Sequence, residues 1–208
     1  MAPPRFNPFS PADLNDPQAW FLDARIARLR RDRAACGRVL RPPIIAAKAI
    51  RDQPYREGCG WLNAVSVASA GGARLPVDAL SCEMAAALAM WVEHVVQPAA
   101  TKHFGSAVAS VQNFGGYVCR NIVGSKLWGD FRSQHATANA LDVAGVTLAD
   151  GRRIDVKTHW RGDDPSAAFL RDIHRGACRY FRAVLGPDFN EAHHDHLHLD
   201  RGYIKSCR

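Results

Sequence analysis

The sequence predicts an α+β domain, an antiparallel sheet flanked by helices, and three patterns carry that reading. Residues 80–104 place Met84, Leu88, Trp91 and Val95 at helical spacing. Residues 165–185 do the same with Phe169, Ile173, Ala177 and Phe181, and Gly186-Pro187 stops them. Short runs with strand character lie at 61–69, 108–114, 141–148 and 195–200. Helices packed on an antiparallel sheet form an α+β arrangement.

The elements follow in order. Residues 1–18 are rich in Pro, Asn and Asp and read as an extended arm, leaving 19–208 as one domain. Asp16 and Pro17 are positioned to start a helix that runs to about Ala35, with Trp20, Ile26 and Leu29 packing inward. Arg28, Arg30, Arg31 and Arg33 form its solvated face. A strand over 61–69 precedes the helix over 80–104, where His94 and His103 read as surface histidines. The strand over 108–114 runs into Gly115-Gly116-Tyr117. Residues 141–148 and 153–159, joined through Ala149-Asp150-Gly151, read as a hairpin. The helix over 165–185 and a strand over 195–200 complete the chain, with no internal repeat.

At 208 residues and 47% hydrophobic content, the chain can bury a full core. Its formal charge of +7 favours acidic partners, and cell-wall polymers are anionic. Nucleic acid is not expected: the positive charge concentrates between Arg25 and Arg41, and no nucleic-acid motif is present. The six cysteines are far apart, with no Cys-x-x-Cys. Dispersed cysteines in even number predict three disulfides in an oxidising compartment, periplasmic or at the cell envelope. Cys59 and Cys82 are the pair that a short loop would bring together. No apolar signal or membrane-spanning segment is visible, so export would rely either on a signal or membrane anchor outside this chain or on a signal-independent secretion apparatus. Oligomeric state is not legible.

The chemistry concentrates in His193-His194-Asp195-His196-Leu197-His198-Leu199-Asp200, which holds four of the nine histidines. His196 and His198 alternate with Leu197 and Leu199, so both imidazoles sit on one face of a strand. Imidazoles that converge in this way most often meet a transition metal. A second segment supplies partners: His135, and seven residues on Asp142 in the apolar run Ala140-Leu141-Asp142-Val143. A carboxylate in that setting is costly to bury unless paired or bound to metal. Three N/O ligands with an open fourth position are the catalytic zinc pattern.

Ser-x-His-x6-Asp followed by His-x-His resembles the LAS zinc metallopeptidases, the group of lysostaphin-type and D-alanyl-D-alanine peptidases. More of the chain resembles the extensin-like C-terminal family, a bacterial branch of that group. The landmarks include Cys59-Gly60, Leu80-Ser81-Cys82, Gly116-Tyr117-Val118-Cys119-Arg120, Asn139-Ala140-Leu141-Asp142, Val184-Leu185-Gly186-Pro187 and Asp195-His196-Leu197-His198-Leu199-Asp200.

The resemblance implies a LAS-like antiparallel sheet that carries a zinc site. It implies a zinc-dependent peptidoglycan peptidase, a D,D- or L,D-endopeptidase or carboxypeptidase acting through a zinc-activated water. His135, Asp142 and His198 match the zinc ligands. His196 and His193 match histidines beside the metal that manage protons, and Arg120 matches an arginine near the scissile carbonyl. Ser133 and Arg120 are the implied substrate contacts.

Two departures touch the substrate side. Ala138 stands where LAS members often have Gly, so the loop is expected to be right-handed or shifted. Gln134 stands where extensin-like relatives often have Glu. Both leave a second reading open, a cell-wall binding module that keeps fold and metal without turnover. A third is a disulfide-rich wall protein with no metal.

Overall fold

The computed structural model describes residues 3, 6–124 and 126–208. Residues 6–20 form turns that lie on the domain, and Ala12 and Leu14 enter the core. The first helical region is two helices, α1 (Leu22–Arg28) and α2 (Arg33–Val39), not one over 17–35. Asp32 explains the break. Its side chain accepts from the Ala35 amide at 2.8 Å and starts a new helix. Ile26 and Leu29 are buried as expected, but Trp20 is 60% exposed and makes edge-to-face ring contacts with Phe6 and Phe21. Arg30 leaves the expected solvated face. It reaches the buried Glu83 at 3.3 Å, beside Arg201. Burial pushes the Glu83 carboxyl up despite these cations.

Strands β1 (Ile45–Ala49), β2 (Gln53–Arg56), β3 (Cys59–Trp61), β4 (Ala64–Ala70) and β5 (Ala73–Ser81) come next. The run expected over 61–69 is divided between β3 and β4, because Asn63 takes a left-handed conformation. β5 was not anticipated: its alternating burial is interrupted in sequence by the edge-type residue Pro76.

Helical structure then runs from 82 to 104 as α3 (Cys82–Trp91), a π turn (Val92–Val96) and α4 (Gln97–Phe104). Leu80 belongs to β5, and Ser81 caps α3 through the Met84 amide at 3.2 Å. Pro98 accounts for the π turn. It has no N–H to donate, and its ring would press on the carbonyl four residues back. Every residue of α3 is buried, and its alanine-rich sequence lets it seat closely on its neighbours. The Trp91 indole donates to the Ile173 carbonyl at 2.9 Å.

Strands β6 (Val108–Asn113), β7 (Ala140–Leu148) and β8 (Arg153–Asp155) follow. The second arm of the expected hairpin stops early, and α5 (Val156–His159) takes its last residues. α6 (Pro165–Ala177) is capped by Asp164, which accepts from the Ala167 amide at 2.9 Å, with Pro165 at its first turn. It ends eight residues before the expected position, because Ala183–Leu185 pairs as β9 with β10 (Leu197–Asp200). β11 (Ser206–Cys207) closes the order.

Among the described residues the main sheet has nine strands, in the order β1-β4-β5-β6-β7-β10-β9-β11, with β8 also on β7. It is mixed, not antiparallel throughout: β5 pairs β6 and β9 pairs β11 in parallel. β2 and β3 make a separate hairpin. The architecture is α+β, a large mixed sheet flanked by helices.

Three disulfides form: Cys36–Cys82, Cys59–Cys119 and Cys178–Cys207. The expected Cys59–Cys82 pair is replaced, because Cys82 opens α3 against α2 while Cys59 faces the segment after Tyr117. Three disulfides are consistent with an oxidising, exported environment. His94 and His103 are not plain surface residues: His94 Nε2 lies 2.7 Å from the Leu14 carbonyl, and His103 pairs with Asp172 at 2.8 Å. Among the described residues no helix is long and apolar enough to cross a membrane.

Candidate metal centre

β7 is the axis of the site. One of its edges is taken by β6, and the other is shared, β10 pairing with residues 140–143 and β8 with 145–147. In this register His198 stands directly opposite Asp142. Apolar Leu141, Val143, Leu197 and Leu199 fill the other face and are essentially inaccessible to water. Strand alternation thereby forces Asp142 and His198 onto one common side.

His135 arrives from a short 3-10 turn (Gln134–Thr137) that leads into β7. Ser133 starts that turn, its hydroxyl accepting from the His135 amide at 3.3 Å. Ser133 is largely buried, and it is also among the residues that line a neighbouring cleft with Gln134 and Thr137. Ala138 ends the turn at φ 52°, ψ 30°, so the residue is left-handed with Ala and not right-handed. The conformation costs an L-residue roughly 1–2 kcal/mol, and hydrogen bonds surround it. The Ala138 carbonyl accepts from the Ser81 amide at 2.7 Å. Asn139, wholly buried, accepts from the Ser81 hydroxyl at 2.7 Å and donates to Gln134 Oε1 at 3.1 Å. Gly202, just past β10, packs so tightly on Gln134 that a Cβ there would come within 2.8 Å of it. The turn is therefore fastened both to β5 and to the segment after β10.

Three donor atoms converge. Asp142 Oδ1 lies 2.9 Å from His198 Nδ1 and 3.1 Å from His135 Nε2, and the two nitrogens are 3.3 Å apart. All three residues are buried, and as a group they could hold a metal ion. A tetrahedral ion with bonds of about 2.0–2.1 Å needs ligand atoms roughly 3.3–3.4 Å apart. The observed spacings need only tenths of an ångström of expansion, so the donor set fits such an ion.

The electrostatics are those of a preformed cluster. Burial alone would raise the Asp142 carboxyl, but hydrogen bonds from His135 and His198 hold it well below the usual carboxylate range. Burial would lower His198; the carboxylates of Asp142 and Asp200 outweigh it and lift the imidazole to about 9. Asp200 reaches His198 Nε2 at 3.1 Å.

His196 lies beside the cluster and outside it, with Nε2 3.6 Å from Asp142 Oδ1 and Nδ1 2.9 Å from Asp195 Oδ1. His193, from a 3-10 turn (Glu191–His193), places its ring 5.3 Å from that of His196 and 5.7 Å from that of His198. Its Nδ1 is 2.6 Å from Asn190 Oδ1. Burial, reinforced by His198 and His196, lowers His193 to about 4. Arg120 is near enough for its charge to add to that effect. Phe114 and Phe189 stand edge-on to His196 and His193, both partly exposed, as the rim of the site.

Residues 34–208 match the family described as Extensin-like protein C-terminus. The chain belongs to that family. No curated protein and no solved structure matches it. The extensin-like region contains every residue of the cluster and its surroundings. Three supporting residues, Asp200, Asn190 and Asp195, were absent from the sequence-based set. Asp200 was legible in principle, since it falls on the His196–His198 face of the same strand. Asn190 and Asp195 were not, because their roles depend on how a short turn folds back.

Proposed function

We propose that this extensin-like protein is a zinc-dependent peptidase, related to the LAS metallopeptidases, that hydrolyses peptide crosslinks or stems in peptidoglycan. The observation that carries the reading is the convergence of His135 Nε2, Asp142 Oδ1 and His198 Nδ1, three N/O donors with further histidines beside them. Zinc held by this set would supply Lewis acidity and lower the pKa of a bound water toward neutrality.

The chain's own residues supply the rest. Asp200 accepts from His198 Nε2–H, which turns Nδ1 toward the cluster and fixes the tautomer that can ligate. Asn190 accepts from His193 Nδ1–H, leaving a lone pair on His193 Nε2. Asp195 takes the same part for His196, whose Nε2 faces the Asp142 side of the site. His196 is therefore the first choice to hold or move a proton at Nε2, and His193 the second. Arg120 is the cation available to a developing negative oxygen. Phe114 and Phe189 limit the access of bulk water.

The test is digestion of purified peptidoglycan by zinc-loaded protein, with His135→Ala as control, read by mass spectrometry of released muropeptides. Loss of one defined crosslink or stem bond with the parent protein alone is the expected result. Unchanged muropeptides despite one bound zinc per chain would replace this reading with a metal-holding wall-binding module.

A further inference from the structure

A second cleft, about 650 Å³ in volume, opens on the β2–β3 hairpin beside the Cys59–Cys119 disulfide. Trp61 and Tyr117 meet edge to face inside it, with ring centroids 4.7 Å apart. Neither ring is free to turn away. The Trp61 indole donates to the Arg51 carbonyl at 3.1 Å, and the Tyr117 hydroxyl accepts from Gln53 Nε2 at 3.0 Å. That leaves the Tyr117 proton and the Gln53 carbonyl directed to solvent-side partners. Arg51 and Arg56 line the same cleft and are exposed; among the described residues neither guanidinium has a hydrogen bond or ion pair. Asp52, the acidic residue among those lining the cleft, is already taken by Arg33 and the Asn63 amide.

We infer that this cleft binds the glycan strand of the wall polymer, an N-acetylated amino-sugar chain, with Arg51 and Arg56 meeting the lactyl carboxylates that are free where a sugar carries no stem peptide. This rests on the peptidoglycan reading above and names a separate subsite for the sugar portion. The chemistry is complementary point by point. Aromatic faces take the C–H face of a pyranose ring, while a phenol and a carboxamide match hydroxyl and acetamido groups. Guanidinium forks match carboxylates in a bidentate way. The cleft is also placed for the task. Tyr117 and Cys119 flank Val118, whose amide donates to the His135 carbonyl at 3.3 Å, so one wall of the cleft braces the metal-ligand turn. A strand bound there would hold the peptide branches of its neighbouring, substituted sugars near the metal-ligand turn, raising their effective concentration.

The experiment is calorimetric titration of the full chain with peptide-free glycan strands, stripped of stem peptides, against a single-stranded oligonucleotide of similar length. Hydrolysis is not read, so the outcome is independent of catalysis. The parent protein and His135→Ala are expected to bind the glycan alike. The Arg51→Ala/Arg56→Ala double variant, which removes exposed side chains only, is expected to bind at least about tenfold more weakly with an unchanged melting temperature. Tyr117→Phe, which keeps the ring, should weaken binding by a smaller factor. Absence of glycan binding, equal binding by the double variant, or tighter binding of the oligonucleotide would each overturn the assignment. Glycan binding without peptide cleavage would leave it standing and remove the peptidase reading; cleavage without glycan binding would do the reverse.

Discussion

His198 Nε2 lies 3.1 Å from Asp200 Oδ2, two residues further along the same strand. Asp200 is fixed in turn by the Gly202 amide, which donates to its other oxygen at 2.8 Å. The pair sets which imidazole nitrogen of His198 faces Asp142. Asp200→Ala should therefore weaken metal binding about 10–100-fold, the usual scale for loss of such a supporting carboxylate. Titration against a competing chelator measures it, and an affinity equal to the parent's would remove Asp200 from the site.

His198 and His196 separate two roles on adjacent positions of one face. His198→Ala should eliminate stoichiometric metal and activity together. His196→Ala should keep most of the metal and lose turnover by about 10²–10⁴-fold, the range for a positioned proton carrier. Elemental analysis beside muropeptide release distinguishes them. Metal retained in His198→Ala and lost in His196→Ala would reverse the assignment.

Asp172 joins α4 to α6. It accepts from His103 and Lys102, with Arg175 on its second oxygen at 2.6 Å. Those hydrogen bonds, His103 first, hold its carboxyl well below the usual carboxylate range. A depressed carboxyl stabilises the fold above the unfolded value near 3.8 and loses that contribution as pH falls through its folded value. Asp172→Asn should thus melt lower than the parent at neutral pH, by about 1 kcal/mol or less because solvent screens the pair. The gap should close in strong acid. A constant difference from neutral pH to the acid limit would show that the effect is not ionic.

Cys36–Cys82 ties α2 to the start of the buried α3 across a separation of 46 residues. Chain-entropy arithmetic for a loop of that size gives about 4 kcal/mol. Cys36→Ser/Cys82→Ser should lower the unfolding free energy by several kcal/mol in denaturant titration. A midpoint matching the parent's would mean that packing alone seats α3 and that the bridge is dispensable.

The metal group was legible because it uses short-range rules. Alternation put His196, His198 and Asp200 on one strand face, and an ionisable residue inside Ala140–Val143 had to find partners. The apolar spacing of Met84, Leu88 and Trp91 likewise forecast a buried helix. What escaped depends on contacts distant in sequence. Nothing local tells Cys59 to choose Cys119 over Cys82. The end of α6 is decided by β9 pairing with β10, and propensity in 178–185 is too weak to oppose it. Ala138 keeps its left-handed conformation because Ser81 and the preceding turn hold it, which outweighs the local preference of alanine. Asp32 was a different kind of omission, since an acidic residue three positions before Ala35 is a local capping signal inside what looked like one long helix.

The pairing of Asp142 with His198 spans 56 positions of chain, so the cluster cannot form in any N-terminal portion of the molecule that ends before His198. Chains emerge from synthesis beginning at the N-terminus. β7 can then dock on β6 early, but its other edge waits for β10, and until that strand arrives Asp142 and His135 lack their third companion. Assembly of the three donors is consequently one of the last events in the folding of the emerging chain. An unfinished chain carries only part of the donor set, so completion of the set is coupled to completion of the sheet.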